Sequence, residues 1–470
     1  MKKKEIVSGT VGYSTFPNIG VIETEEALIR VKNVVPGQRV SVRLSKKRND
    51  IWRGDLVAVE EEPKDAIKSD CRHYGLATTT VDGMPSCGSC MYRNISYERE
   101  LEIKRDQLRR LFGPILDFDR LFKEMVPSPV ENSYRNKMEY SFGDAVQGGP
   151  LELGLHRRGS FYDIVSCEGC CLVHPDMDLI RSSTLDFFRA RGISYYHKRA
   201  HEGYLRHLLV RRSESTGELL VDLVTSSDIE EGEERLLSDY TDMIMSLAIE
   251  GEIAGVLHTV NDREGDVVSD EGTHILRGRD YITEEVLGLS FKVTTFSFFQ
   301  TNSIGAGVLY DRVRKAITSM VSDKGLSGGL IYDLYSGTGT IAQMIAPVAG
   351  SVVGVEIVEE AVRAATENAA TNGLSNCSFI AGDVLKVLDD LSTKPDIIIL
   401  DPPRDGVHPK ALPKILSYGV DDIIYISCKA TSLARDLPVF LEAGYSVKSM
   451  EAVDMFPRTG NTEVVCILSR

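Results

Sequence analysis

No stretch of the 470 residues is long and apolar enough to cross a bilayer, although 42% of them are hydrophobic. The N-terminal Met-Lys-Lys-Lys-Glu has no apolar run of the kind a secretory signal needs, so no membrane partner and a cytoplasmic location are expected. Positive charge is in deficit: 54 Lys and Arg face 69 Asp and Glu, a formal net charge of −15, which argues against a protein that coats nucleic acid indiscriminately. That total leaves room for a local basic surface, because counterion release depends on the cations nearest the phosphates. Internal repeats and low-complexity tracts are missing, and so is a Cys-x-x-x-Cys-x-x-Cys triplet, whose absence sets aside radical enzymes with an open iron site.

The most informative stretch runs from Ile331 to Glu356. An apolar run ending at Asp333, a Gly337-x-Gly339 turn and a helix-forming segment predict the first strand, loop and helix of a parallel α/β sheet. Glu356 closes a second apolar strand, where a carboxylate can accept two hydrogen bonds from ribose hydroxyls. A Gly-x-Gly pair alone is an ordinary strand-to-helix turn; Glu356 makes it a nucleoside crevice. The loop lacks the third glycine that brings a pyrophosphate onto a helix N-terminus, so S-adenosylmethionine fits better than NAD.

Further strands are expected over Ser378–Ile380, Pro395–Leu400 and Asp422–Ser427, which places Glu356, Asp383, Asp401 and Cys428 at the carboxyl ends of successive strands. Asp383 is expected at the exocyclic amine of an adenine. Asp401-Pro402-Pro403 forms a rigid turn at the methyl-donor position, as in enzymes that methylate amino groups, so the turn leaves the acceptor open. Cys428 separates the options. Methylating nitrogen needs no thiol, whereas carbon 5 of a pyrimidine becomes nucleophilic only after something adds at carbon 6. A base must then remove the carbon 5 proton, and Glu463 is the candidate by position.

Three domains are expected. Residues 1–62 alternate short apolar and polar runs with Gly and Pro between them, the pattern of an oligonucleotide-binding barrel, with Lys46, Lys47 and Arg48 on a loop that could meet phosphates. Residues 63–285 read as a mixed α+β domain. Within it, the helical stretch near 95–112 is a candidate to pack on the catalytic domain, and Ser133–Phe142 interleaves Arg135 and Lys137 with Tyr134 and Tyr140. Residues 286–470 complete a Rossmann-like domain. Cys71, Cys87 and Cys90, with one of Cys167, Cys170 or Cys171, suit zinc or an iron–sulfur cluster in a reducing compartment.

Ser133-Tyr-Arg-Asn-Lys-x-Glu-Tyr140, Phe298-Phe-Gln300-x-Asn302, Asp333-Leu-Tyr-Ser-Gly-Thr-Gly-Thr340, Asp401-Pro-Pro-Arg404-x-Gly406, Ile426-Ser-Cys428 and Asp454-x-Phe-Pro-x-Thr459 with Glu463 resemble the RNA uracil-5-methyltransferases over nearly the whole chain. The resemblance is to the 23S ribosomal-RNA members that begin with a TRAM barrel and carry a [4Fe-4S] cluster. It implies Cys428 as nucleophile and Glu463 as base, and S-adenosylmethionine contacts from Gln300, Tyr335, Thr340, Glu356, Asp383 and Asp401. It further implies Phe298 stacked on a flipped uracil and cluster ligation by Cys71, Cys87, Cys90 and Cys170, while RNA contacts from Arg135 and Lys137 are expected from their interleaving with aromatic rings. Fifteen residues lie between Cys71 and Cys87, more than in relatives, so an extra loop over Leu76 to Ser86 is expected. The competing readings are a transfer-RNA uracil-5-methyltransferase, an amino-methyltransferase and a non-catalytic RNA-binding assembly factor.

Overall fold

The computed structural model describes every residue except 81, 229–231, 266–267, 269–271, 326–327 and 392. Strands β1 (Ile6–Thr15), β2 (Ile19–Glu23), β3 (Leu28–Lys32), β4 (Arg39–Arg48) and β5 (Ile51–Glu61) close a barrel in the order β1-β2-β3-β5-β4. Period-two alternation sends Val40, Val42 and Leu44 of β4 into the barrel beside Ile29, Val31 and Trp52. The expected loop at Lys46–Arg48 is instead the end of β4, where these three residues pair with Arg53, Trp52 and Ile51. Asn49 and Asp50 both take left-handed backbone, at φ 47° and 59°, so the chain reverses in two residues and the ladder runs to Arg48.

Helix α1 (Tyr97–Phe112) is capped by Ser96, has Glu98 and Glu100 in its first turn and Arg109 and Arg110 in its last, and buries Ile103, Leu108 and Phe112. It packs on β1 of the barrel and on a helix of the C-terminal sheet. A short helix α2 (Phe118–Leu121) leads into β6 (Phe122–Val126).

The central sheet contains β7 (Lys137–Gly143), β8 (Glu152–His156), β9 (Ile164–Val165), β10 (Leu205–Arg212), β11 (Glu218–Thr225), β12 (Glu252–Val260) and β13 (Thr273–Gly278), in the order β13-β12-β11-β10-β7-β8-β9. Helices α3 (Pro175–Arg191) and α4 (Glu233–Met245) cover it through Ile180, Phe188, Tyr240 and Ile244. A hairpin of β14 (Tyr281–Val286) and β15 (Leu289–Thr294) follows.

Beyond it come α5 (Ser303–Asp323), β16 (Leu330–Leu334), α6 (Thr340–Ile345), β17 (Ser351–Glu356), α7 (Glu359–Thr371), β18 (Cys377–Ala381), α8 (Val384–Asp390), β19 (Ile397–Leu400), α9 (Ala411–Ser417), β20 (Asp422–Ser427), α10 (Ala430–Glu442), β21 (Ser446–Val453) and β22 (Glu463–Ser469). The sheet order is β18-β17-β16-β19-β20-β22-β21-β6. Strands β16 to β20 are parallel and β22 is antiparallel to its neighbours. Its outer strand β6 lies within the 63–285 stretch, so a boundary at 285 divides this sheet. Strand order reverses between β16 and β19, which opens a crevice at their carboxyl ends.

Candidate active site

The crevice loop is wound by three left-handed residues, Tyr335, Gly337 and Gly339, at φ 69°, 54° and 71°. A Cβ on Gly339 would fall 2.5 Å from the Phe379 ring, so this turn admits no side chain there. Glu356 accepts the amides of Gly337 at 3.0 Å and Val358 at 2.9 Å, which fixes its carboxylate at the crevice mouth. Asp333 Oδ2 accepts the amide of Ala342 at 3.1 Å, but its buried Oδ1 and the buried Ser336 Oγ find no partner in the protein. Asp383 caps α8 by accepting the amide of Leu385. Thr340 opens α6, its hydroxyl 3.3 Å from that of Thr338, which in turn donates to the carbonyl of Phe298. The Phe298 ring is exposed at the lip, beside Gly337.

On the other side of the switch point, Asp401, Cys428 and Glu463 follow β19, follow β20 and open β22. Burial pushes the Asp401 carboxyl up to about 7. Burial, then the charge of Asp401, pushes Glu463 up to about 8, with Arg404 opposing. The Cys428 thiol is pushed up to about 12 by burial, then by Glu463 and Asp401, again with Arg404 opposing. Asp333 rises to about 8 through burial and Asp401. Tyr310, hydrogen-bonded to Gln300, is also raised by burial and by the same acids. Several acids therefore share one low-dielectric space, and Arg404 is the cation that opposes the rise at both Glu463 and Cys428. Sequence reasoning quoted Arg404 in its motif but gave it no role, and Tyr310 carried no signal beyond helical spacing.

The loop before Glu463 is tied down from every side. Asp454 accepts Lys104 Nζ at 2.7 Å, Lys104 also donates to Glu100 at 2.6 Å, and all three side chains are fully buried. Arg458 donates its amide to Glu100 and its guanidinium to the carbonyls of Tyr92 and Ile95, and pairs with Glu131. Tyr134 donates to the carbonyl of Pro457 and Asn302 to that of Met455. Removing one member of a buried ion pair leaves a charge uncompensated, so Lys104→Ala is expected to lower unfolding free energy by about 3–5 kcal/mol. A denaturant midpoint equal to that of the unsubstituted protein would contradict this.

Two residues expected to meet RNA are engaged within the protein. The Arg135 guanidinium stands 5.6 Å over the Phe456 ring, and Lys137 Nζ is 2.6 Å from Glu139.

The six cysteines considered as ligands, Cys71, Cys87, Cys90, Cys167, Cys170 and Cys171, all line one cavity of about 20 Å³. Cys87 and Cys167 sulfurs are 3.7 Å apart, and Arg93 donates to Cys90 Sγ at 3.4 Å. Geometry thus gathers Cys170 with its two rivals and does not separate them. Among the described residues, no three His, Cys, Asp or Glu stand in an arrangement that holds a single metal ion.

Residues 327–442 match the model of a methyltransferase domain. The chain is 43% identical over 457 residues to an uncharacterized RNA methyltransferase of Clostridium tetani, covering 97% of this chain and 95% of that protein. It is 43% identical over 472 residues to another from Caldanaerobacter subterraneus subsp. tengcongensis, covering all of both. The crystal structure of Pyrococcus abyssi tRNA (uracil-54, C5)-methyltransferase with S-adenosyl-L-homocysteine superposes with a TM-score of 0.74 at 24% identity, over 98% of this chain and 100% of that one, a likeness of fold. With two relatives matched over at least 95% of their length and the switch-point crevice in place, this chain belongs to the RNA methyltransferase family.

Proposed function

We propose that the protein transfers a methyl group from S-adenosylmethionine to carbon 5 of a uridine in folded RNA. The convergence of Cys428, Glu463 and Asp401 beside the switch point carries this reading, because only carbon methylation gives a thiol and a buried acid work to do together.

The crevice suits the donor. Orphaned Asp333 Oδ1 and Ser336 Oγ offer partners, and an acid-rich site favours a positively charged sulfonium. Bound there, S-adenosylmethionine supplies an electrophilic methyl. Glu356 would hold the ribose and Asp383 the adenine amine, with Gln300, Tyr335, Thr340 and Asp401 completing the cradle. Glu356 and Asp383 each already accept backbone amides, which leaves their remaining lone pairs for a ligand.

On the acceptor side Phe298 stacks on the extruded uracil. The Cys428 thiol, raised by burial and by the neighbouring acids in the free protein, gives its proton to solvent once the cationic donor offsets those acids. The thiolate bonds to carbon 6 and pushes an electron pair through carbon 5 to the carbonyl oxygen at carbon 4. Carbon 5 then takes the methyl, the methyl carbon–sulfur bond of the sulfonium breaking with its electron pair left on the thioether sulfur of S-adenosylhomocysteine. Glu463 removes the carbon 5 proton, the carbon 5–carbon 6 double bond re-forms, and the thiolate leaves.

A base must be ionised to act. With Glu463 raised to about 8 and the Cys428 thiol to about 12 in the free protein, kcat/KM is expected to climb with pH through about 8 and to go on climbing less steeply above it. A cationic donor in the crevice stabilises the ionised carboxyl, so the corresponding limb of kcat should lie at lower pH. A profile flat between pH 6 and about 8.5, measured as labelled methyl transfer, would contradict the assignment.

The cysteine cavity fits a thiolate-bound cluster in its donor set, with Arg93 and Arg158 lying close enough to offset thiolate charge. Cys71, Cys87, Cys90 and Cys170 would hold a [4Fe-4S] cluster, which would cross-link the central domain. The N-terminal barrel would grip RNA as a TRAM module. The substrate we propose is 23S ribosomal RNA, on the resemblance of barrel plus cysteines to the ribosomal members, with transfer RNA as the alternative. Mass mapping of 5-methyluridine in both RNAs from cells lacking the protein decides between them.

A further inference from the structure

Among the described residues only three Phe, Tyr or Trp rings are exposed: Phe298 at 68%, Phe161 at 74% and Tyr162 at 50%. Phe298 lies at the lip of the crevice. The other two are adjacent, at the tip of the β8–β9 hairpin on the edge of the central sheet.

That tip is built to hold its rings out. Gly159 takes left-handed backbone at φ 78°, Ser160 Oγ accepts the amides of Tyr162 and Asp163, and Arg157 closes the hairpin by donating its amide to Asp163. The Arg199 guanidinium, from a separate loop, lies 4.4 Å over the Tyr162 ring. His156 sits 6.1 Å from the Phe161 ring. In a chain with a formal net charge of −15, two presented rings lie beside an exposed arginine that stands over one of them. Rings interleaved with cations suit unpaired bases, which stack on the rings while the cations meet phosphates.

We infer that Phe161 and Tyr162, with Arg199, form a second stacking site for unpaired bases of the RNA substrate, separate from the methyl-transfer crevice. The inference rests on the proposed function only in taking RNA as ligand. It gives the enzyme two points of purchase on its substrate, so binding energy gained at the hairpin can offset the cost of extruding the target base at Phe298.

The test uses the full-length protein and a fluorescent single-stranded oligouridylate, with anisotropy read at one fixed salt concentration. Phe161→Ala with Tyr162→Ala is expected to weaken binding by about tenfold or more. Phe161→Trp and Tyr162→Phe, which keep a stacking face, should bind as the unsubstituted protein does. Binding of S-adenosylmethionine should be unchanged in every variant, since the hairpin lies outside the crevice. Equal oligouridylate affinity in the double alanine variant would overturn the inference. If that variant also lost self-association in sedimentation, the rings would belong to a protein contact instead. Methyl placement by the unsubstituted protein is scored in parallel. Methyl on carbon 5 with unaltered oligouridylate binding sinks this inference alone; methyl elsewhere with the tenfold loss sinks the proposed reaction alone.

Discussion

Cys428→Ala is expected to bind S-adenosylmethionine as tightly as the unsubstituted protein while methyl transfer to RNA falls by about 10⁴-fold or more, the scale seen when a covalent nucleophile is lost. The separation follows from the sheet. Cys428 follows β20, on the far side of β19 from the glycine loop, so cutting its side chain back to a methyl group leaves Glu356, Asp333 and the wound turn at Tyr335 in place. The residue is half-buried and belongs to no core cluster, so the variant should also fold normally. Calorimetry with the donor and single-turnover transfer with RNA measure the two halves. An amino-methyltransferase would retain its rate, and that result would remove the thiol from the mechanism.

Glu463→Gln should do the opposite at the level of intermediates. Nucleophile and donor remain, so the thioether bond to carbon 6 forms and the methyl arrives, but nothing removes the carbon 5 proton. A covalent protein–RNA species is expected to accumulate, stable to denaturing electrophoresis, with turnover down by about 10²–10⁴-fold. The glutamine keeps nearly the shape of the side chain and removes a buried acid that burial and Asp401 both disfavour ionising, so the fold should tolerate it. If product forms with no adduct at any time point, the proton leaves by another route. Arg404, which opposes the rise at both Glu463 and Cys428, would then be the place to look for the group that organises proton transfer.

Much of the catalytic half was legible in the sequence because its signals are local. A four-residue apolar strand such as Ile397–Leu400, buried throughout, announces itself by composition, and its successor Asp401 falls at the strand end by counting. The left-handed turn at Gly337 and Gly339 is likewise written in the residues that must adopt it. What escaped was non-local. Strand β6 joins the C-terminal sheet across more than three hundred positions, and nothing in Phe-Lys-Glu-Met-Val names β21 as its partner. Lys104 and Asp454 are 350 positions apart; in sequence Lys104 is one more charge on an amphipathic helix. Nor could the sequence say that the Arg135 guanidinium stands over the Phe456 ring, a contact between distant parts of the chain. The exposed rings at Phe161 and Tyr162 gave no sequence signal, because their exposure depends on where the hairpin sits in the sheet.

The cysteines illustrate a different boundary. Their spacing pointed to a shared site, and the fold gathers six cysteines around one cavity, yet neither spacing nor geometry selects a fourth ligand for the proposed cluster. Chemistry would select it, since a thiol bound to iron is protected from alkylation.

Central to the account is a bond between Cys428 sulfur and carbon 6 of a uracil. RNA carrying 5-fluorouridine offers a fluorine that the base cannot remove, so the adduct should persist in the protein itself. After incubation with this RNA and S-adenosylmethionine, peptide mapping by mass spectrometry is predicted to find a methylated fluorouracil nucleotide on the peptide containing Cys428. An unmodified Cys428 peptide, together with methyl recovered on a nitrogen or a ribose oxygen of ordinary RNA, would contradict it.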